Sequence, residues 1–137
     1  MTRTQLLSIA PGYSEDQLQA ACHLYLNHNY LHYYGLYFSI PNGGSRNKIE
    51  ALKFKATGLT PGEPDYMLIV PINRRTFVSG AVVAPIEFKI PGTSLTGNQP
   101  RIHKVWAENG VPIRIVRTPA EFLTIIDIIF GEAKPIL

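Results

Sequence analysis

The chain reads as an α/β domain with a central mixed β-sheet flanked by helices, in the order α-β-α-β-β-α-β-α. Three observations predict it. Segments with apolar residues at helical spacing alternate with short runs rich in β-branched and aromatic residues. Turn signals separate them, as at Pro41-Asn42-Gly43-Gly44, Pro61-Gly62 and Pro91-Gly92. At 137 residues, with 45% hydrophobic and 17% charged content, the chain suits one cored domain and is too apolar for a disordered one. Residues 1–137 are therefore taken as a single domain.

Each element has its own warrant. Residues 1–12 read as a short lead-in ending at Pro11-Gly12. Ser14 caps the first helix, with Gln17 as its capping-box partner and Tyr13 placed to staple onto Leu18. Leu18, Ala21, Cys22, Tyr25 and Leu26 fall on one stripe of that helix. The tyrosine-rich segment that follows leads into a strand over 36–40; its rings suit packing, and one or two could stack on an unpaired base. His28 and His32 have the spacing of a zinc pair but no glutamate after the first, and read as ordinary surface or partly buried histidines.

Ser45 can cap a second helix over 46–57 that Gly58 ends, with Ile49, Leu52 and Ala56 as a thin apolar side. A hairpin spans 65–90. Pro85 inside its second strand cannot donate to a ladder, so either the well-paired part begins at Ile86 or the strand lies at an edge there. Thr96 and Gln99 form a capping-box pattern for a helix through Asn109, with Ile102, Val105 and Trp106 as its buried side. A strand over 111–117 follows, and Thr118-Pro119-Ala120-Glu121 opens the last helix. That helix is apolar almost all round, more than one face of a sheet hides, so it predicts a homodimer through the C-terminal helix.

Composition narrows the setting. A single cysteine, Cys22, excludes an intrachain disulfide and suits a reducing compartment. With no apolar run long enough to span a bilayer and no signal-peptide pattern, the expected location is cytoplasmic, away from membranes. A net charge of +3 permits a phosphate partner without demanding one.

The chemistry lies in Gly62-Glu63-Pro64-Asp65 and Ile86-Glu87-Phe88-Lys89. Side chains alternate along a strand, so Val82, Ala84, Ile86, Phe88 and Ile90 share a core face while Glu87 and Lys89 share the other. Asp65 and Glu87 at neighbouring strand ends make a hard oxygen site suited to Mg²⁺ or Mn²⁺, completed by the Phe88 carbonyl and water. Lys89 is then placed to orient or deprotonate an attacking water and to balance phosphate charge. The same residues also read as a Glu–Lys pair on a solvated strand face, with Asp65 a turn residue after proline. Glu15 is explained by the helix dipole, and Gln99 by its capping box. The glycines Gly43 and Gly44, feeding a helix N-terminus, make a natural anion seat beside Asn42, Arg46 and Lys48. Arg101, His103 and Lys104 give the later helix a basic side.

Taken together, Pro41-Asn42-Gly43-Gly44-Ser45-Arg46, Gly62-Glu63-Pro64-Asp65, Glu87-Phe88-Lys89 and Gln99 resemble the virus-type replication-repair nuclease (VRR-NUC) domain, from about Glu15 to about Glu121. That domain is a branch of the PD-(D/E)xK superfamily with the restriction-endonuclease-like fold. The resemblance implies a stand-alone, divalent-metal-dependent DNA nuclease, similar to phage-type Holliday junction resolvases that act as homodimers on four-way junctions. It implies catalytic roles for Asp65, Glu87, Lys89, Glu15 and Gln99, metal ligation by Asp65, Glu87, Phe88 and Glu15, and DNA contacts at Asn42, Gly43, Gly44, Arg46 and Lys48, with Arg101 and Lys104 as further candidates. The other classes compatible with the residues are a catalytically weak junction-binding protein and a sequence-specific restriction-type or flap nuclease.

Overall fold

A computed structural model describes residues 1–41, 48–71 and 81–132. Its sheet has four strands in the order β1-β2-β3-β4: β1 (Tyr37–Ser39), β2 (Tyr66–Pro71), β3 (Ala81–Phe88) and β4 (Arg114–Val116). The first three pair antiparallel and β4 joins β3 in parallel, so the sheet is mixed, as the sequence predicts. The helices are α1 (Arg3–Leu7), α2 (Glu15–Asn29), α3 (Lys48–Ala56), α4 (Gln99–Glu108) and α5 (Pro119–Glu132), with a 3-10 turn at Leu31–Tyr33.

Strand alternation sorts the sheet into two faces. Tyr66, Leu68 and Val70 of β2 and Ala84, Ile86 and Phe88 of β3 are buried on one face. They share a core with Leu18, Cys22, Tyr25 and Leu26 of α2 and Phe122, Leu123, Ile126 and Ile129 of α5. The predicted α2 stripe is thus the buried one, and its Ser14–Gln17 capping box is formed in both directions. β1 is extended by hydrogen bonds on either side, Leu36 accepting from Ile69 N–H at 2.8 Å and Ile40 N–H donating to Asp65 at 2.7 Å. Pro85 pairs with Met67, while β4 reaches β3 only from Ile86 onward, so β3 is an edge strand at the proline. A residue without an N–H is tolerated there.

Three expectations need correction. The lead-in contains α1, opened by a Thr2–Gln5 capping box and anchored by Leu6, which is fully buried. This helix packs on both α2 and α5, and Arg3 grips Asp127 of α5 through two hydrogen bonds of 2.8 and 2.7 Å. Together α1, α2 and the sheet bury Phe122, Leu123, Ile126, Ile129 and Phe130, leaving Ile128 as the large α5 side chain half exposed among the described residues. The apolar surface invoked for a homodimer through α5 is therefore spent inside the protomer. Secondly, α4 has no buried residue, and Val105 is 48% exposed. The helix approaches the domain through its first turn rather than along a full apolar side. Thirdly, α3 is likewise unburied, with Ile49 at 80% and Leu52 at 67% exposure. His28 and His32 do not share a helix, because α2 ends at Asn29.

Candidate active site

The second face of the sheet carries the charges. Glu87 lies between Ile86 and Phe88 on β3, so when those two enter the core it must point the other way. It is nonetheless completely buried, and Lys89, one residue beyond the strand, is only 5% exposed. Lys89 N–H donates to the Val116 carbonyl at 3.0 Å, continuing the β3–β4 pairing and fixing where its side chain emerges. Asp65 immediately precedes β2. Its N–H donates to Glu87 Oε2 at 3.2 Å, and its Oδ2 accepts from Phe88 N–H at 2.9 Å, so the two acidic residues are cross-braced through backbone. The two carboxyl groups lie close enough to act directly on each other's ionisation.

Two helix starts close over this pair. Gln99, the first residue of α4, donates from Nε2 to Glu87 Oε1. Its Oε1 accepts from Thr96 N–H at 2.9 Å, so one amide both holds the turn before the helix and reaches the acidic site. From the other side Glu15, the first residue of α2, places Oε1 3.9 Å from Lys89 Nζ. Gly62 makes the α4 approach possible. Its φ of +92° belongs to the region that favours glycine, and a Cβ there would lie 2.8 Å from the Asn98 carbonyl carbon and 3.0 Å from Gln99 N. Asn98 Nδ2 ties the same junction by donating to the Pro61 carbonyl at 2.8 Å. The loop that delivers Asp65 and the turn that delivers Gln99 are thus one packed unit.

The electrostatics are those of two buried carboxyls held side by side. Burial, and then the neighbouring Asp65 charge, push the Glu87 carboxyl up to about 8. Burial also raises Asp65, opposed chiefly by the hydrogen bond from Phe88 N–H. Two adjacent buried carboxyls cannot both ionise cheaply: either one keeps a proton or a cation offsets the pair. Among the described residues no three His, Cys, Asp or Glu side chains come close enough to hold a metal together, so Glu15 does not complete a three-carboxylate set. Asp65 and Glu87 with a backbone carbonyl and waters still fit a small hard cation, which binds through one or two carboxylates and keeps much of its hydration.

His103 belongs to this neighbourhood too, although its sequence context suggested only a basic helix side. It follows Gln99 by one helical turn, interacts electrostatically with both Asp65 and Lys89, and has its imidazole pKa lowered by burial. Its Nε2 is buried without a hydrogen-bond partner. The Gln99-to-His103 spacing was the available signal. The DNA candidates are scattered by comparison. Arg101 and Lys104 are exposed on α4, Lys104 lying 3.8 Å from Glu108, and Lys48 is exposed at the start of α3. Asn42, Gly43, Gly44 and Arg46 lie outside the described residues.

This arrangement of sheet and helices has a counterpart among solved structures. A protein described as a VRR_NUC domain protein superposes with a TM-score of 0.66 at 18% identity, covering 90% of this chain and 93% of its own. The chain therefore has the fold of a VRR-NUC domain, a four-stranded mixed sheet flanked by helices. No family model and no curated protein matches the sequence. No described helix is long and apolar enough to cross a membrane.

Proposed function

We propose that this chain is a divalent-metal-dependent DNA nuclease, an endonuclease selecting branched DNA and in the first instance a four-way junction. The observation that carries the reading is the acidic pair itself. A fully buried glutamate is set against a second carboxyl, with a buried lysine beside them and a glutamine amide on one of the oxygens. A structural role would be served as well by apolar residues, whereas phosphodiester hydrolysis needs these groups together.

Asp65, Glu87 and the Phe88 carbonyl would hold Mg²⁺ or Mn²⁺, which when bound favours ionisation of water and offsets charge on the phosphate. Gln99 keeps the Glu87 carboxylate turned toward its ligand. Lys89 Nζ orients the attacking water at the phosphorus and balances the charge gained by the phosphate oxygens as the P–O bond to the leaving strand breaks. Glu15, near Lys89, holds that ammonium in place. The junction preference rests on the VRR-NUC resemblance. Paired incision by two copies would need an interface other than α5.

Labelled four-way junction, flap, single strand and linear duplex, each with Mg²⁺, Mn²⁺ or EDTA, test this directly. Metal-dependent paired cuts in the junction are expected. Cuts confined to flaps or single strands would keep the nuclease and remove the junction. Lys89→Ala is expected to lose at least about 100-fold in cleavage rate while binding the same DNA; cleavage at the wild-type rate would refute the assignment.

A further inference from the structure

Beside the acidic site, between the start of α2 and the β1 edge of the sheet, lies a cavity of about 610 Å³. Two of its lining residues, Asp16 and Tyr66, directly follow the site residues Glu15 and Asp65 in the chain, and the Asp16 charge acts on Asp65. The cavity is therefore one residue away from the acidic site along both α2 and β2. Its wall is aromatic. Tyr66 and Tyr37 are buried and tied down, the first with its hydroxyl 2.7 Å from His23 Nδ1, the second donating to Asn27 Oδ1 at 2.8 Å. Tyr34, perpendicular to Tyr37, is 74% exposed and Phe38 is 42% exposed, so both of these lining residues leave ring surface open to solvent.

The polar groups decide what fits. The described residues lining the cavity include no lysine or arginine, and Asp16 brings a carboxylate to it, so these residues favour a neutral group over a phosphate. Ring faces beside acceptors are what a nucleobase requires: its π-face stacks on aromatic side chains and its amino edge donates to a carboxylate or an amide oxygen. Asp16 and Gln19 supply such acceptors. The volume is within the roughly 300–1,000 Å³ range of small-molecule pockets, ample for a base together with its sugar. We propose that this cavity receives a nucleobase that has left its pair at the branch point next to the scissile phosphate, so that the enzyme selects strands in which a base is free to leave the stack. This rests on the nuclease reading above and names the feature of branched DNA that is recognised.

The test is binding without cutting. In Ca²⁺ or EDTA, fluorescence anisotropy compares a flap duplex carrying unpaired bases at the branch, the same flap with abasic sites there, and a fully paired duplex. A 2-aminopurine at the branch reports stacking. For the wild-type chain we expect quenching of the 2-aminopurine and about tenfold weaker binding of the abasic flap. Tyr34→Ala and Phe38→Ala should lose the quenching and bind the flap about tenfold more weakly, with paired duplex unaffected, while Tyr34→Trp should retain both. DNA binding in which the abasic flap and the alanine variants behave like the originals overturns the base pocket alone. Failure to bind any of the DNAs overturns this proposal and the nuclease reading together.

Discussion

On one face of the sheet, Leu68, Ile86, Phe88 and Val116 meet α1, α2 and α5 in continuous apolar contact; on the other, Glu87 and Lys89 meet the first residues of α2 and α4. Burial is equally deep in both places, since Phe88 is 1% exposed and Glu87 not at all. What differs is what burial achieves. Removing apolar area from water stabilises the fold by about 25 cal/mol per Å². Burying a carboxyl beside another costs free energy unless a proton or a cation sits between them. The first face holds the domain together and the second is an electrostatically costly site supported by it, with Gly62 and the Asn98–Gln99 turn as the mechanical join.

The contrast is broken most severely from the apolar side. Phe122 is fully buried and its ring lies 6.3 Å from that of Phe88. Phe122→Ala should destabilise the protein by about 3–5 kcal/mol, whereas Ile49→Ala on α3, 80% exposed, should change it by less than about 0.5 kcal/mol. Urea midpoints at unchanged slope would check both; equal effects would mean that α3 is packed on the domain. A smaller change, but one aimed at the join, is Gly62→Ala. It puts a Cβ against the Asn98 and Gln99 backbone at a φ that L residues avoid, costing about 1–3 kcal/mol. Because that backbone delivers Gln99, metal affinity measured by calorimetry should fall as well. Loss of stability with unchanged metal binding would separate the loop from the site.

How far these features were legible in the sequence follows the same division. Period-two alternation places Ile86 and Phe88 inside and Glu87 and Lys89 opposite, and the structure has them there. The α2 stripe and its cap are equally local signals. The five residues of α1 are too few for periodicity to register, although Thr2 and Gln5 already spell its capping box. Missing that helix removed a layer from the count and made α5 look too apolar for one protomer. The α4 expectation failed differently: Ile102, Val105 and Trp106 do form a stripe, but Ile102 and Trp106 are only half-buried and Val105 is exposed. Propensity reports which face of a helix is apolar, not whether a partner lies beneath it. Gln99 carried two readings, capping and site: the cap position falls instead on Asn98, which makes no side-chain cap, so only half of the Thr96–Gln99 box forms, while the same amide reaches Glu87.

The subtlest prediction sharpens the comparison at Glu87 itself. Its folded-state pKa is raised from 4.5 to about 8, so the folded protein binds a proton that the unfolded chain releases. The associated stability is fully present below about pH 4.5 and is lost as pH rises through about 8. In EDTA, therefore, the melting temperature should decline by a few degrees between pH 5 and pH 8.5, the raised Asp65 acting in the same direction. Glu87→Gln copies the shape of the protonated acid and cannot ionise. It should show a flatter profile and melt above the wild type at pH 8.5 without metal. Adding Mg²⁺ or Mn²⁺ should reverse that order, because a cation replaces the missing proton between Asp65 and Glu87 but has only one carboxylate to bind in the variant. Parallel profiles for the two proteins, with no response to either metal, would return Glu87 to the first face's logic: a buried group serving the fold alone.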